Sequence, residues 1–195
     1  VSELLVAAPL RIEAALIASA SRGTLVQKTG MGPEKARAAA QQLGARAARA
    51  MLVLGFCGGL DETSVPGEVI VAEEVYAAAD ESHPEQPIRC ELAGQLVAQL
   101  TGLGLKVRVG NVVCVSKIAT GDRRAQLHES GAIAVDMESV WLAAGAGERP
   151  FGVVRVVLDS PSHELLRPQA LGGALRAALA LRKVAGALHD WAPED

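Results

Sequence analysis

Aromatic residues make up only 3% of this chain, its three cysteines are scattered, and no apolar run approaches the length of a membrane span. Each scarcity excludes something. Cys57, Cys90 and Cys114 are odd in number and lack CxxC spacing, which argues against both a disulfide framework and a structural zinc site. Reduced thiols in a cytoplasmic protein are the expectation. A transmembrane helix needs roughly 18 to 20 consecutive apolar residues, and Val1 to Leu10 has no basic segment of the kind that opens a secretory leader. No stable membrane insertion is expected. Basic charge is not in excess either. With 19 Lys and Arg against 22 Asp and Glu, a polyanionic nucleic-acid partner finds no electrostatic footprint.

What is plentiful is small and aliphatic. Half of the 195 residues are hydrophobic, and they come in runs of four to eight separated by Gly and Pro, the pattern of buried parallel strands. The length suits one domain, residues 1–195, of α/β class. Strands are expected at Leu4–Ala8, Thr24–Lys28, Met51–Leu54, Val69–Val75, Val107–Val115, Ala132–Val135 and Phe151–Leu158. Helices are expected after Ala8 to about Ala20, from Pro33 to about Ala50, over Glu91–Leu103, from an Asp122 N-cap to about Ser130, after Ser139, and over Leu171–Trp191. The polar stretch from Ala79 to Arg89, with Pro84 and Pro87, reads as a surface loop.

Gly30-Met31-Gly32 opens the helix at Pro33, where small residues let backbone N–H groups approach an anion or a hydroxyl. It is not a dinucleotide fingerprint. That motif needs an acidic residue about twenty positions on, at the end of the next strand, and Leu52 to Leu54 stand there. A plain connecting turn is the simpler alternative. Gly55-Phe56-Cys57-Gly58-Gly59 fits the G-x-nucleophile-x-G pattern of a hydrolase elbow, with Asp159 and His163 or His189 downstream in triad order. An elbow runs straight into a helix, however, and here a loop and another strand follow. Cys57 as a buried small residue is the competing interpretation. The four histidines have no ligand spacing, no metal is expected, and Trp141 is expected in the core or at a subunit contact.

Three carboxylates, Glu13, Glu138 and Asp159, lie at or just beyond the ends of apolar strands, where ligand sites of open α/β sheets gather. Taken singly, each is more often a helix cap or a solvated charge. Their order along the chain carries more. Glu13, TGMG at 29–32, GFCGGL at 55–60 with VPGEVIVAEEV at 65–75, AVDMES at 134–139 and VRVVLD at 154–159 together resemble the nucleoside phosphorylase and nucleosidase superfamily, which includes methylthioadenosine/adenosylhomocysteine nucleosidase. The compact spacing from Glu13 to Gly30 looks most like its hopanoid-associated branch, whose members are thought to remove adenine from adenosylhopane.

The resemblance implies a three-layer α/β/α fold around a mixed, mostly parallel twisted sheet, and cleavage of the N-glycosidic bond of a purine nucleoside. It implies that Asp159 protonates the purine N7 and that Glu138 bonds ribose hydroxyls while Met137 packs on the sugar. Glu13 would orient the attacking water, and Gly30, Met31, Gly32, Phe56, Cys57, Gly58, Gly59 and Ile118 would line the substrate pocket. No cofactor is implied, inorganic phosphate being a co-substrate if the enzyme is a phosphorylase, and a homo-oligomer, most simply a dimer, is expected. A nonenzymatic nucleoside-binding module remains an alternative of another class.

Departures from the family pattern matter as well. Phe56 stands where phosphorylases of this family commonly place a hydroxyl residue, which favours hydrolysis. Arg11, Arg123 and Arg124 could instead assemble a phosphate site, although surface arginines are the simpler interpretation. Leu158 replaces the small hydroxyl residue that often precedes the catalytic aspartate in nucleosidases, removing one support for Asp159. The 116–121 loop falls where relatives hold the base but offers no aromatic ring for stacking.

Overall fold

The computed structural model describes residues 2–21, 23–81, 86–163, 170–189 and 191–193. Among the described residues eight strands form one sheet: β1 (Ser2–Ala8), β2 (Leu25–Lys28), β3 (Ala48–Gly59), β4 (Val69–Ala77), β5 (Ile88–Arg89), β6 (Val107–Cys114), β7 (Ala132–Asp136) and β8 (Phe151–Asp159). Between them run α1 (Arg11–Ala20), α2 (Pro33–Gly44), α3 (Ala93–Gly102), α4 (Asp122–Glu129) and α5 (Ser139–Leu142), with α6 (Ala170–Ala187) closing the chain. Pairings are parallel except β3–β7, β4–β5 and β4–β8, so the sheet is mixed and mostly parallel as expected.

Alternation along the central strands explains the layering. Met51 and Val53 of β3, with Val153 and Val157 of β8, point into one core with α2 and α5. Leu52 and Leu54, with Val154 and Val156, point into a second core packed by α1, α3 and α6. A strand buried on both faces must be apolar at both parities, which is why these segments read as continuous hydrophobic runs. Among the described residues no helix is long and apolar enough to cross a membrane.

The pairings β3–β8–β4–β6–β7–β3 return to their starting strand, closing a small ring. At its rim Gly58 of β3 pairs with both Asp159 of β8 and Val135 of β7, and Cys114 of β6 pairs with Asp136. Residues distant in sequence thereby reach one place.

Several boundaries differ from the sequence expectation. α2 stops at Gly44 rather than near Ala50, because Ala48 and Ala50 pair with Ser2 and Leu4 of β1, and tertiary pairing overrides alanine's helix preference. β3 correspondingly runs on through Gly59, so the GFCGGL segment belongs to the strand itself up to Gly59. The helix after Ser139 is a single turn followed by a 3-10 turn at Ala143–Gly145. Gly145 abuts α2 there, where a Cβ would lie 3.0 Å from the Ala40 carbonyl oxygen. Asp122 is the first helical residue of α4 rather than its cap; Gly121 takes that place with φ of 48°. The 79–89 segment contains the short β5, and its residues 82–85, with His83 and Pro84, lie outside the described residues.

Candidate active site

Glu13, Glu138 and Asp159 line one cavity of about 170 Å³ at the rim of the ring, together with Met31, Phe56, Cys57, Gly58, Ile118 and Met137. Typical ligand clefts are roughly 300–1,000 Å³, so this one encloses part of a nucleoside-sized molecule and leaves the remainder at its mouth. Ile118 and Met31, 72% and 49% exposed, make that mouth apolar.

The floor beside Glu13 and Glu138 is a buried charge cluster. Arg155, fully buried in β8, pairs through Nη2 with Asp136 Oδ2 at 2.5 Å and lies 3.6 Å from Glu138 Oε2. Asp136 accepts hydrogen bonds from the Ser139 hydroxyl and from the backbone N–H groups of Glu138 and Ser139, which caps α5. Burial alone would raise its pKa, but Arg155 and these donors hold it below the ordinary carboxylate value. Glu138 accepts a hydrogen bond from Gly32 N–H (2.9 Å), and burial, opposed by Arg155 and reinforced by Asp136, pushes it up to about 7.

Glu13 is a helix cap and also lines the cavity. One oxygen accepts from Leu10 N–H (2.5 Å) and caps α1; the other accepts from Phe56 N–H (2.6 Å) of β3. Burial raises its pKa despite the field of Arg155. Gly55 leaves the space Glu13 occupies: a Cβ there would lie 2.6 Å from its Oε1 and 3.0 Å from Arg155 Nη1.

At the opposite side Asp159 Oδ2 accepts from Arg124 Nη2 at 2.6 Å. Arg124 is buried, unlike its half-buried neighbour Arg123, which pairs with the exposed Asp80. Arg11 is exposed. The expectation of surface arginines therefore holds for Arg11 and Arg123 and fails for Arg124.

Three of the predicted glycines stand behind the cavity wall. Gly30, at φ of 95°, turns the chain while its N–H bonds Pro9, Gly32 supplies the N–H that holds Glu138, and Gly59 offers its carbonyl to Arg124. Cys57 lies within β3, not on a strand-to-helix elbow, and burial raises its thiol pKa far above the ordinary value. It is no activated nucleophile, which removes the cysteine-hydrolase alternative. Trp141 is in the core, with the Arg37 guanidinium over its ring.

Asp136, Arg155 and Gly55 stood inside motifs without a part of their own, Arg124 was weighed only as a phosphate ligand or a surface charge, and none of the four was assigned the contacts found here. Arg155 could have been: a charge inside the apolar run Phe151–Leu158 must find partners when buried.

A model of the Phosphorylase superfamily matches residues 16–184. The chain belongs to that superfamily. Among curated relatives, AMP nucleosidase of Escherichia coli K12 is 30% identical over 177 residues, covering 76% of this chain and 35% of that protein. This superfamily member thus spans about a third of the length of the curated relatives it matches. Among solved structures, futalosine hydrolase of Helicobacter pylori strain 26695 superposes with a TM-score of 0.81 at 15% identity, over 96% of this chain and 97% of that one. The 5'-methylthioadenosine/S-adenosyl homocysteine nucleosidase of Campylobacter jejuni gives 0.81 at 13% identity, over 96% and 99%. At such identities the superpositions establish the shared phosphorylase-superfamily fold.

Proposed function

We propose that this protein is a purine nucleosidase that hydrolyses the N-glycosidic bond with Asp159, Glu138 and Glu13 in the roles given above. The observation that carries it is the convergence of these three carboxylates, from α1, β8 and the turn after β7, on one cavity. A purine anion is a poor leaving group, so the base needs a proton at N7 while the sugar develops oxocarbenium character. In the step, the C1′–N9 bond breaks with its electron pair passing to the base, N7 takes the proton from Asp159, and water adds to C1′.

The floor suits a developing cation. Three carboxyl groups, Asp136, Glu138 and Glu13, face the single guanidinium of Arg155, so the cluster is preorganised and turns net acidic as Glu138 and Glu13 ionise. The raised proton affinity of Glu13 makes it a better acceptor for the water proton than an ordinary carboxylate.

The same charges favour water over phosphate as nucleophile. The charged residues lining the cavity are Glu13, Asp136, Glu138 and Asp159, with Arg124 as the cation, and that guanidinium is committed to Asp159 and two carbonyls. A phosphate dianion would meet carboxylates on the floor and the ring of Phe56 beside them. The apolar mouth, Met31, Phe56, Ile118 and Leu158, supports an apolar substituent on the ribose 5′ carbon, in keeping with the resemblance to the branch that acts on adenosylhopane. Incubating the purified chain with adenosines bearing polar and apolar 5′ groups, with and without phosphate, tests this reading. Free adenine and a free sugar without phosphate are expected. Strict phosphate dependence, or no base release from any member of the panel, would overturn it.

A further inference from the structure

Asp159 follows Leu158, whose side chain packs against the α1/α3/α6 core. From α4 it receives a buried guanidinium. Arg124 is 5% exposed, and all three nitrogens of its guanidinium are committed: Nη2 to Asp159 (2.6 Å), Nη1 to the Gly59 carbonyl (3.1 Å) and Nε to the Ala119 carbonyl (2.9 Å). Glycine at position 58 gives the pair room. A Cβ there would lie 3.3 Å from both Arg124 Nη2 and Asp159 Oδ1, and the β3–β8 register shifts at this point.

Ala119 belongs to the 116–121 loop, which borders the cavity through Ile118 and Ala119 and turns into α4 at Gly121. A single guanidinium therefore fastens the acid on β8 to the end of β3 and to the loop on the base side. A guanidinium held by two backbone carbonyls is fixed in orientation, and its single charge-assisted Nη2–Oδ2 bond is stronger than a bond from a neutral hydroxyl.

Resting on the nucleosidase reading, we infer that Arg124 is a positioning residue of the catalytic acid. It aims the Asp159 carboxyl into the cavity and stabilises the carboxylate left when its proton has passed to N7. The glycosidic electron pair leaves with the base, and Asp159 is reprotonated from water before the next turnover.

The test compares leaving groups. Wild type, Arg124→Lys and Arg124→Met are assayed on an adenosine-type nucleoside, whose base must be protonated, and on 4-nitrophenyl riboside, whose phenolate departs without a proton. Thermal melting of each variant accompanies the assays. With acid misplaced, Arg124→Met is expected to lose about 10²-fold in kcat on the nucleoside, with KM within about threefold and the nitrophenyl rate nearly unchanged; Arg124→Lys should recover part of the loss. Equal losses on both substrates, in a variant that melts as the wild type does, would mark Arg124 as merely structural and overturn the inference, as would an unchanged rate on the nucleoside. A wild-type chain that releases no base sinks the nucleosidase reading itself, a result distinct from either.

Discussion

Two buried arginines organise the two ends of the cavity in opposite ways. Arg155 sits under the end proposed for the sugar, surrounded by Asp136, Glu138 and Glu13, so carboxyl groups outnumber it. Arg124 sits at the end proposed for the base, with Asp159 as its paired carboxylate and two backbone carbonyls on its other nitrogens. The first end is net acidic and the second nearly balanced. The difference is what glycosidic cleavage requires: excess negative charge where the sugar turns cationic, and one well-aimed carboxyl where the base needs a proton.

The comparison can be broken most forcefully at Arg155. Arg155→Met leaves Asp136 buried without its counter-charge, and removing one partner of a buried pair costs about 3–5 kcal/mol. Urea unfolding should show a loss of that size, well above that of Arg124→Met. Equal losses would mean that the two arginines do the same job. Next in size, Asp159→Asn should lower kcat by roughly 10²- to 10⁴-fold without altering the melting transition by more than a few degrees. A near-normal rate in that variant would place the proton donor elsewhere.

Glu138 sharpens the contrast through pH. Its folded-state pKa, near 7, stands above the ordinary 4.5, so between these values the native protein holds a proton that the unfolded chain has lost. The contribution of Glu138 to stability is therefore present at low pH and lost as pH rises through that window. Activity should run the other way, because the ribose contact proposed for Glu138 needs the carboxylate: kcat/KM should climb toward pH 7. Glu138→Gln should flatten both dependences, and profiles that keep their shape in this variant would assign the titration to another group. Smallest is Gly55→Ala, where the added methyl crowds Glu13 and Arg155. Overpacking of this kind costs about 1–3 kcal/mol, and kcat should fall through displaced Glu13 while nitrophenyl and purine substrates suffer alike, unlike Arg124→Met.

The same two arginines show how far the sequence could be read. β8 announced itself as an apolar run ending in Asp159, and Glu13 and Glu138 were recoverable from motif order. Arg155 stood inside that run, where burial demanded a partner, so its role was legible in principle. Arg124 was not visible in the same way. Asp122-Arg123-Arg124 opens a short polar helix that looks solvated, and only its placement three residues before Leu127, the other buried residue of α4, hints at an inward face. Gly55 and Gly58 were legible as glycines but not for what they make room for, since Glu13 and the Arg124–Asp159 pair approach from elements far away in the chain. Helix limits near Ala50 and after Ser139 failed where strand pairing and close helix contact outweighed alanine's local preference.

The central claim is electrostatic, and binding of a charged sugar mimic tests it most directly. Calorimetry would compare a 9-deazaadenine joined to a cationic pyrrolidine with its uncharged cyclopentane counterpart, in wild type and in Glu13→Gln/Glu138→Gln. An acid-rich floor predicts that the cation binds at least about 10²-fold more tightly and that the double variant loses most of this preference. Equal affinity of the two compounds for the wild-type protein would contradict it.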